Sequence, residues 1–221
     1  MSEQELAGKV AVVAGVGRDS DRTIALKLAR SGAAVVINVN ANEANEVVCS
    51  IEDIGGKAAI VPDDVIDPKV AAALAATALA RFGRIDVLVN NAAMRRDKTI
   101  VEMTCAEWRA AVDGTLDSAF HCVKACLPAL RKNGGAVVNV GCVNAHIGGA
   151  PGAYMMTENA GLVGLTRGLA HDLAADGIAV NCVVPGPRDD IAALVHFLCT
   201  PAAHYVTGQT VQANGGAYLR S

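Results

Sequence analysis

The chain has 221 residues, of which 52% are hydrophobic, 19% charged and 3% aromatic, and its formal net charge is −3. This length fits one domain whose core is built from Ala, Val, Leu and Ile. The scattered basic residues argue against a nucleic-acid or membrane-surface partner. The sequence contains no uncharged apolar run of about 18 residues and no signal-peptide pattern at its start, so we expect a cytoplasmic protein with no membrane span.

Short apolar runs alternate with helical patterns along the whole chain. The predicted strands are Lys9–Ala14, Ala33–Asn38, Ala58–Val61, Ile85–Val89, Ala136–Val140, Ile178–Val184 and Gln209–Gln212. The predicted helices are Ile24–Ala29, Glu43–Ile54, Pro68–Phe82, Ala106–Leu130, Thr157–Ala174 and Asp190–Cys199. Unbroken apolar strands that alternate with helices indicate a parallel sheet covered on both faces. The prediction is an α/β fold, a Rossmann-like doubly wound sheet forming a single domain over residues 1–221.

Seven cysteines occur without a Cys-x-x-Cys pair. We interpret them as reduced, mostly buried, small hydrophobic residues. Cys122 and Cys126 stand one helical turn apart beside His121, as metal ligands sometimes do. Their apolar neighbours favour a packing face, so no metal site is predicted.

The turn after the first strand reads Ala-Gly-Val-Gly-Arg-Asp-Ser-Asp-Arg-Thr-Ile over residues 14–24. It resembles the dinucleotide-binding turn of the short-chain dehydrogenase/reductase family, with Gly15 kept and Asp19 and Asp21 at two later glycine positions. A carboxylate about 4 Å from a phosphate is repelled by roughly 4 kcal/mol at an effective dielectric constant near 20. Either Asp could instead cap the helix and replace the anion. We therefore expect no cofactor in this chain, or NAD or NADP if it is active.

Further segments resemble the cofactor contacts of the same family. The resemblance assigns cofactor-binding positions, interpreted as vestigial, to Gly15, Asp64, Val65, Asn91, Pro185 and Gly186. Asn90 and Asn91 also have a structural interpretation, as hydrogen-bonding ties between strands. Val39 stands where the family places an acidic residue on the adenosine ribose. The helix pattern after Pro187 begins at once, which indicates that the family's substrate lid segment is deleted.

The family's catalytic Asn, Ser and Lys are replaced at the matching positions, and its Tyr is replaced in one of two possible registers. Thr115 takes the place of the Asn, and Cys142 that of the Ser. Counting back from Ala160–Leu165 places Met155 and Asn159 at the Tyr and Lys positions, whereas anchoring on the visible tyrosine gives Tyr154 and Glu158.

Both registers stay open, and neither supplies the family's acid–base group. A carboxylate one turn from a phenol raises the phenol pKa above its ordinary value of about 10, although the reaction needs it lowered. Cys142 with His146 forms a nucleophile–base pair in principle, but a solvated loop histidine is the favoured interpretation.

The segments that form subunit contacts in the family have close matches in this sequence. Residues 205–218 match the family's terminal strand, and the predicted helices Ala106–Leu130 and Thr157–Ala174 match its helical subunit contact. Gly161, Gly164 and Gly168 share one helix face, which suits either another subunit or the chain's own sheet.

The sequence therefore predicts a catalytically inactive subunit that joins an active, homologous NAD(P)-dependent subunit in a heterotetrameric alcohol or hydroxyacyl dehydrogenase. The assembly is expected to be a tetramer, and a homotetramer is the other form considered. In kind, this resembles the inactive subunit of a heteromeric dehydrogenase of the family. One alternative is an active NAD(P)-dependent oxidoreductase that interconverts alcohol and ketone with non-standard residues. The other alternative is a protein that binds a small ligand.

Overall fold

The computed structural model describes residues 4–16, 19–39, 44–91, 98–147, 152–186 and 191–219. Its seven strands are β1 (Val10–Val16), β2 (Ala34–Val39), β3 (Lys57–Val61), β4 (Val87–Asn90), β5 (Gly135–Val140), β6 (Ile178–Pro185) and β7 (Thr210–Ala213). Its α-helices are α1 (Asp19–Arg30), α2 (Ala44–Glu52), α3 (Pro68–Phe82), α4 (Cys105–Val112), α5 (Ser118–Asn133), α6 (Asn144–Ile147), α7 (Ala153–Leu173) and α8 (Ala192–Leu198).

All strand pairs are parallel, and the strands lie in the order β3-β2-β1-β4-β5-β6-β7. The order reverses between β1 and β4, which makes the carboxyl ends of these strands the expected ligand crevice. The predicted single-domain, doubly wound α/β fold is confirmed.

Helices cover both faces of the sheet, as the unbroken apolar strands predict. One face carries a core that includes Ile24 and Leu28 of α1, Ile51 of α2 and Val195 of α8. The opposite core is built from the apolar faces of α3, α5 and α7. Among the described residues, no helix combines the length and apolar character needed to cross a membrane.

The sequence predicts one continuous helix over Ala106–Leu130, but the structure divides it into two. A π-helical turn, Asp113–Asp117, separates α4 from α5. The apolar periodicity runs through this point because a single wide turn shifts the register of the pattern by only one residue. The helix predicted from Thr157 also starts earlier, at Ala153, and α6 escaped prediction because it has only four residues.

Asp86 anchors the amino edge of the sheet just before β4. Its carboxylate accepts hydrogen bonds from the backbone N–H of Val10 at 3.0 Å, from both Nε and Nη2 of Arg84, and from Nζ of Lys9 at 3.2 Å. Burial raises the Asp86 pKa, but these hydrogen bonds outweigh it, and the pKa is lowered. The cluster fixes the edge opposite to the expected crevice.

Four cysteines are buried in the described core, and burial raises the pKa of each thiol. They are Cys122, Cys126, Cys182 and Cys199. Cys49 and Cys105 are exposed, and Cys142 is partly exposed. Over the described residues, no group of three or more His, Cys, Asp or Glu side chains is arranged to hold a metal ion.

Candidate functional site

The turn that follows β1 is held by Asn38 at the end of β2. Gly15 has a φ of 82°, which is open to glycine at no steric cost, and its N–H donates to Oδ1 of Asn38 at 3.4 Å. Helix α1 begins at Asp19. The side chains of Asp19 and Asp21, and all of Arg18, lie outside the described residues, so the proposed capping role and the charge repulsion stay predictions.

Asn38 also organises the loop after β3. Its Nδ2 donates to the carbonyl oxygens of Val61 at 3.1 Å and Asp63 at 2.8 Å. Asp63 has a φ of 81°, which is strained for a residue with a side chain. The buried Asn38 thus joins the turn after β1 to the loop after β3, a role that was not predicted from the sequence.

Two of the predicted cofactor-binding residues, Asp64 and Val65, lie in that loop. Val65 is buried in the core, whereas Asp64 is exposed and its Oδ1 accepts from the Ile66 N–H at 3.0 Å. Val39 is buried at the end of β2 and offers no polar group to a ribose.

Asn90 and Asn91 mark the end of β4. The Asn91 N–H donates to the carbonyl oxygen of Ala14 on β1, and Nδ2 of Asn90 donates to Oδ1 of Asn139 on β5 at 2.8 Å. The predicted tie is therefore present for the Asn90 side chain, whereas Asn91 contributes a backbone hydrogen bond. Asn139 continues to Thr166 of α7, since its Nδ2 donates to that hydroxyl at 2.8 Å.

Oδ1 of Asn90 is buried and has no hydrogen-bond partner among the described residues. An unsatisfied buried acceptor costs about 1–3 kcal/mol. It stands beside the point where the strand order reverses, where this fold class binds its ligands. The remaining residues of the motif, Ala92 and Ala93, lie outside the described part.

Pro185 and Gly186 close the end of β6. The Pro185 carbonyl oxygen accepts from the Val143 N–H at 3.2 Å, and the Gly186 N–H donates to the carbonyl oxygen of Ala213. A methyl group on Gly186 would come within 2.7 Å of the Asn214 backbone. This glycine is therefore required for packing whether or not a cofactor binds.

The connection between β6 and α8 is short. It runs only from Gly186 to Ile191, and its residues 187–190 lie outside the described part. This shortness agrees with the deletion expected from the sequence.

The six catalytic positions fall into two groups in space. Asn159 lies over the end of β5, because a methyl group on Gly141 would come within 2.9 Å of its Oδ1. The Asn159 Nδ2 donates to the carbonyl oxygen of Met155 at 2.9 Å, and Met155 is half-buried. These two residues thus border the segment that leads into Cys142, which is partly exposed.

The second group joins Tyr154 and Glu158 of α7 with Thr115 of the π-helical turn. Their exposed fractions are 1%, 3% and 4%. Burial raises the pKa of Glu158 to about 8, and an interaction with the Thr115 side chain opposes that rise only in part. The two groups do not complete a hydrogen bond of good geometry, since Oε2 of Glu158 and Oγ1 of Thr115 both lack a partner among the described residues.

Comparison with known proteins gives a consistent result. The family described as enoyl-(acyl carrier protein) reductase matches residues 14–189. The 3-oxoacyl-[acyl-carrier-protein] reductases of Staphylococcus aureus and Escherichia coli are 33% and 30% identical, each over 96% of this chain and 98% of the relative. The S. aureus alignment spans 242 residues, more than the 221 of this chain, so this chain lacks residues that the relative has.

Solved structures agree over nearly the whole chain. A short-chain dehydrogenase/reductase from Serratia marcescens superposes with a TM-score of 0.92 at 28% identity, over 96% of this chain and 99% of that chain. A putative short-chain dehydrogenase/reductase from Burkholderia xenovorans gives a TM-score of 0.92 at 28% identity, over 99% of both chains.

The prediction of a catalytically inactive subunit is wrong. The relatives that match along the whole chain are named as reductases, which favours the alternative of an active oxidoreductase. That prediction requires Glu158 to be a charged carboxylate that disables Tyr154. Because burial raises its pKa to about 8, Glu158 is mostly uncharged at neutral pH. The expectation that no cofactor binds is not confirmed.

Proposed function

Because the chain belongs to the short-chain dehydrogenase/reductase family, we propose that it is an active NAD(P)-dependent oxidoreductase that interconverts a ketone and a secondary alcohol. The names of its relatives indicate a 3-oxoacyl thioester as the substrate class. The nicotinamide, when bound, supplies the hydride for the carbonyl carbon. Met155, Asn159, Cys142 and Thr115 at the family positions make the catalytic set non-standard.

The observation that carries this proposal is the unsatisfied Oδ1 of Asn90. A hydroxyl or amide donor on a bound dinucleotide would satisfy it, which would remove a cost of about 1–3 kcal/mol. The described surroundings fit such a ligand, with Gly15, Asp64, Val65, Asn91, Pro185 and Gly186 as the proposed contacts around the carboxyl ends of the strands. Val39 has no polar group that could bind the adenosine ribose. The choice between NAD and NADP therefore does not rest on that position.

Cofactor binding tests the proposal directly. NADPH and NADH are titrated by fluorescence, and oxidation of the bound cofactor is followed after addition of an acetoacetyl thioester. Asn90→Ala is expected to weaken cofactor affinity about tenfold, the equivalent of one hydrogen bond of about 1.4 kcal/mol.

Asn181→Ala provides a matched control. Asn181 is equally buried, and its side chain is bonded to the carbonyl oxygen of Val206 and the N–H of Gln209, away from the crevice. This variant should lose stability but keep its cofactor affinity. If the wild-type chain neither binds NADPH or NADH nor oxidises either with the thioester, the proposal is refuted.

We also propose that the chain acts as a tetramer, with copies of itself or with a homologous chain. Gly161 contacts Leu116 within the chain, whereas Gly164 and Gly168 are exposed with open space beside them. Phe120 on α5 is 50% exposed. Native mass spectrometry should show a tetramer that Gly164→Trp dissociates and that Ala72→Trp, on the exposed side of α3, leaves intact. A wild-type chain that stays monomeric at high concentration would contradict this.

A further inference from the structure

Glu158 and Thr115 are buried polar side chains without good hydrogen bonds among the described residues. They are 3% and 4% exposed, and Oε2 of Glu158 and Oγ1 of Thr115 both lack a partner. Natural cores pair such groups because each unsatisfied one costs about 1–3 kcal/mol. Here two such groups, from different elements of the fold, interact with each other. This arrangement points to a role other than packing.

Their position connects them to the reaction site. Glu158 lies in the same turn of α7 as Met155 and Asn159. That turn approaches the end of β5 closely, since Asn159 Oδ1 would contact a methyl group on Gly141. Glu158 is therefore one helical turn or less from the carboxyl edge of the sheet, where a ligand binds in this fold class.

The π-helical turn presents Thr115 to α7. Asp113–Asp117 departs from the regular α-helical ladder, and the Ser118 hydroxyl donates to the carbonyl oxygens of Gly114 and Thr115. Gly161 allows this turn to approach, because a methyl group there would come within 2.9 Å of Leu116. Isolated π-helical turns are frequent at functional sites.

We propose that Glu158, acting through the hydroxyl of Thr115, supplies the proton that converts the ketone oxygen into an alcohol. This inference rests on the proposed reductase function. The carbonyl carbon receives a hydride, and the carbonyl π electrons move to its oxygen. That oxygen takes the Thr115 hydroxyl proton, and Glu158 replaces this proton at once. The resulting carboxylate is then protonated from water, so each turnover consumes one hydride and one proton.

The acidity of Glu158 suits this role. Burial raises its pKa to about 8, which leaves it protonated yet able to release its proton near neutral pH. Met155 and Asn159 have no ionisable side chain with which to replace it. The titratable side chains of the elements packed on α7 are Cys105, Glu107, Arg109, Asp113, Asp117, His146 and Asp176, together with the Cys182 thiol of β6. None of them contributes to the shift of the Glu158 pKa.

The test measures thioester reduction from pH 5.5 to 9.5 in the wild type and in four variants. Wild-type kcat should fall above pH about 8, because the reducing direction needs the protonated carboxyl. Glu158→Gln should lower kcat about 100-fold and abolish this decline, with KM and cofactor affinity changed less than about two-fold. Thr115→Val should lower kcat in the same way, and Thr115→Ser, which keeps the hydroxyl, should restore it.

A second measurement does not depend on activity. Infrared spectroscopy of the folded protein should show a protonated carboxyl band that disappears with a midpoint near pH 8 and is absent from Glu158→Gln. The control Glu52→Gln removes an exposed carboxyl of α2 and should leave kcat, its pH profile and the band unchanged.

The outcomes separate the two proposals. An active wild type whose rate and pH profile are unchanged in Glu158→Gln overturns the relay and leaves the reductase function in place. A carboxyl band that disappears below pH 6 also overturns the relay. A wild type that reduces no thioester with either cofactor overturns the reductase function and the relay together.

Discussion

Ionisation of Glu158 should make the stability of the folded chain fall as the pH rises. Burial gives the carboxyl a folded-state pKa of about 8 against an ordinary value of 4.5. One pKa unit corresponds to about 1.4 kcal/mol. Deprotonating this group in the folded state therefore costs up to roughly 5 kcal/mol relative to the unfolded chain.

The sign follows from proton binding. Between pH 4.5 and about 8 the folded state holds this proton and the unfolded state has released it. The free energy of unfolding therefore falls as the pH rises through this window, and it levels off above it. From pH 6 to pH 9 the expected fall from Glu158 alone is about 3 kcal/mol.

Glu158→Gln removes this titration and keeps nearly the same volume. The free energy of unfolding of the variant, minus that of the wild type, should therefore rise by about 3 kcal/mol from pH 6 to pH 9. Urea denaturation at each pH measures it, with equal m values confirming that the same surface unfolds. The free energy of unfolding of the Glu52→Gln variant should change with pH in parallel with that of the wild type. Parallel curves for Glu158→Gln would refute the reasoning, because the carboxyl would then be ionised at little cost.

Three further predictions concern the scaffold. Asp86→Ala should lower the free energy of unfolding by about 2–4 kcal/mol at pH 7, by thermal or urea denaturation, because the Val10 N–H loses its acceptor. The difference in stability between the variant and the wild type should shrink in acid. In the wild type, the ionised Asp86 stabilises the fold at pH values above the ordinary Asp pKa near 4. That stabilisation is lost as the pH falls through the lowered pKa of Asp86 in the folded state. Gly186→Ala should cost about 1–3 kcal/mol through contact with the Asn214 backbone, and an unchanged melting temperature would contradict this. Iodoacetamide should label Cys49 and Cys105 in the native protein and spare the four buried cysteines until urea unfolds it, as peptide mass spectrometry would show.

Much of the fold could be predicted because the signals are local. Each buried strand is an apolar run with a turn after it, and α3 ends at Gly83, whose left-handed conformation closes the helix. The π-helical turn had no such signal. It lies where Leu116 comes close to Gly161, and these two residues belong to elements that meet only in the folded chain.

The site was predicted less well because its properties depend on burial. The family resemblance assigned Asp64 and Asn91 to the cofactor contacts and left Asn90 as a tie between strands. It also identified Glu158, but assigned it the charge of an exposed carboxylate. The actual environment is set by the approach of the π-helical turn to α7, which spacing along the chain does not encode. Asn38 and Asn139 were missed because an Asn within an apolar strand is easily counted as part of the strand.

The hydrogen bonds from β4 to α7 give the crevice a fixed polarity. The Thr166 hydroxyl donates to the carbonyl oxygen of Leu162, which can only accept, so this hydroxyl must accept from the amide of Asn139. Asn139 in turn must present its oxygen to the amide of Asn90. Asn90 therefore cannot rotate its amide without breaking the whole series, and its unsatisfied Oδ1 remains an acceptor. A ligand group that binds to Oδ1 of Asn90 must therefore be a hydrogen-bond donor, such as a hydroxyl or an amide N–H. An ether or a carbonyl oxygen has no hydrogen to donate and is rejected at this position.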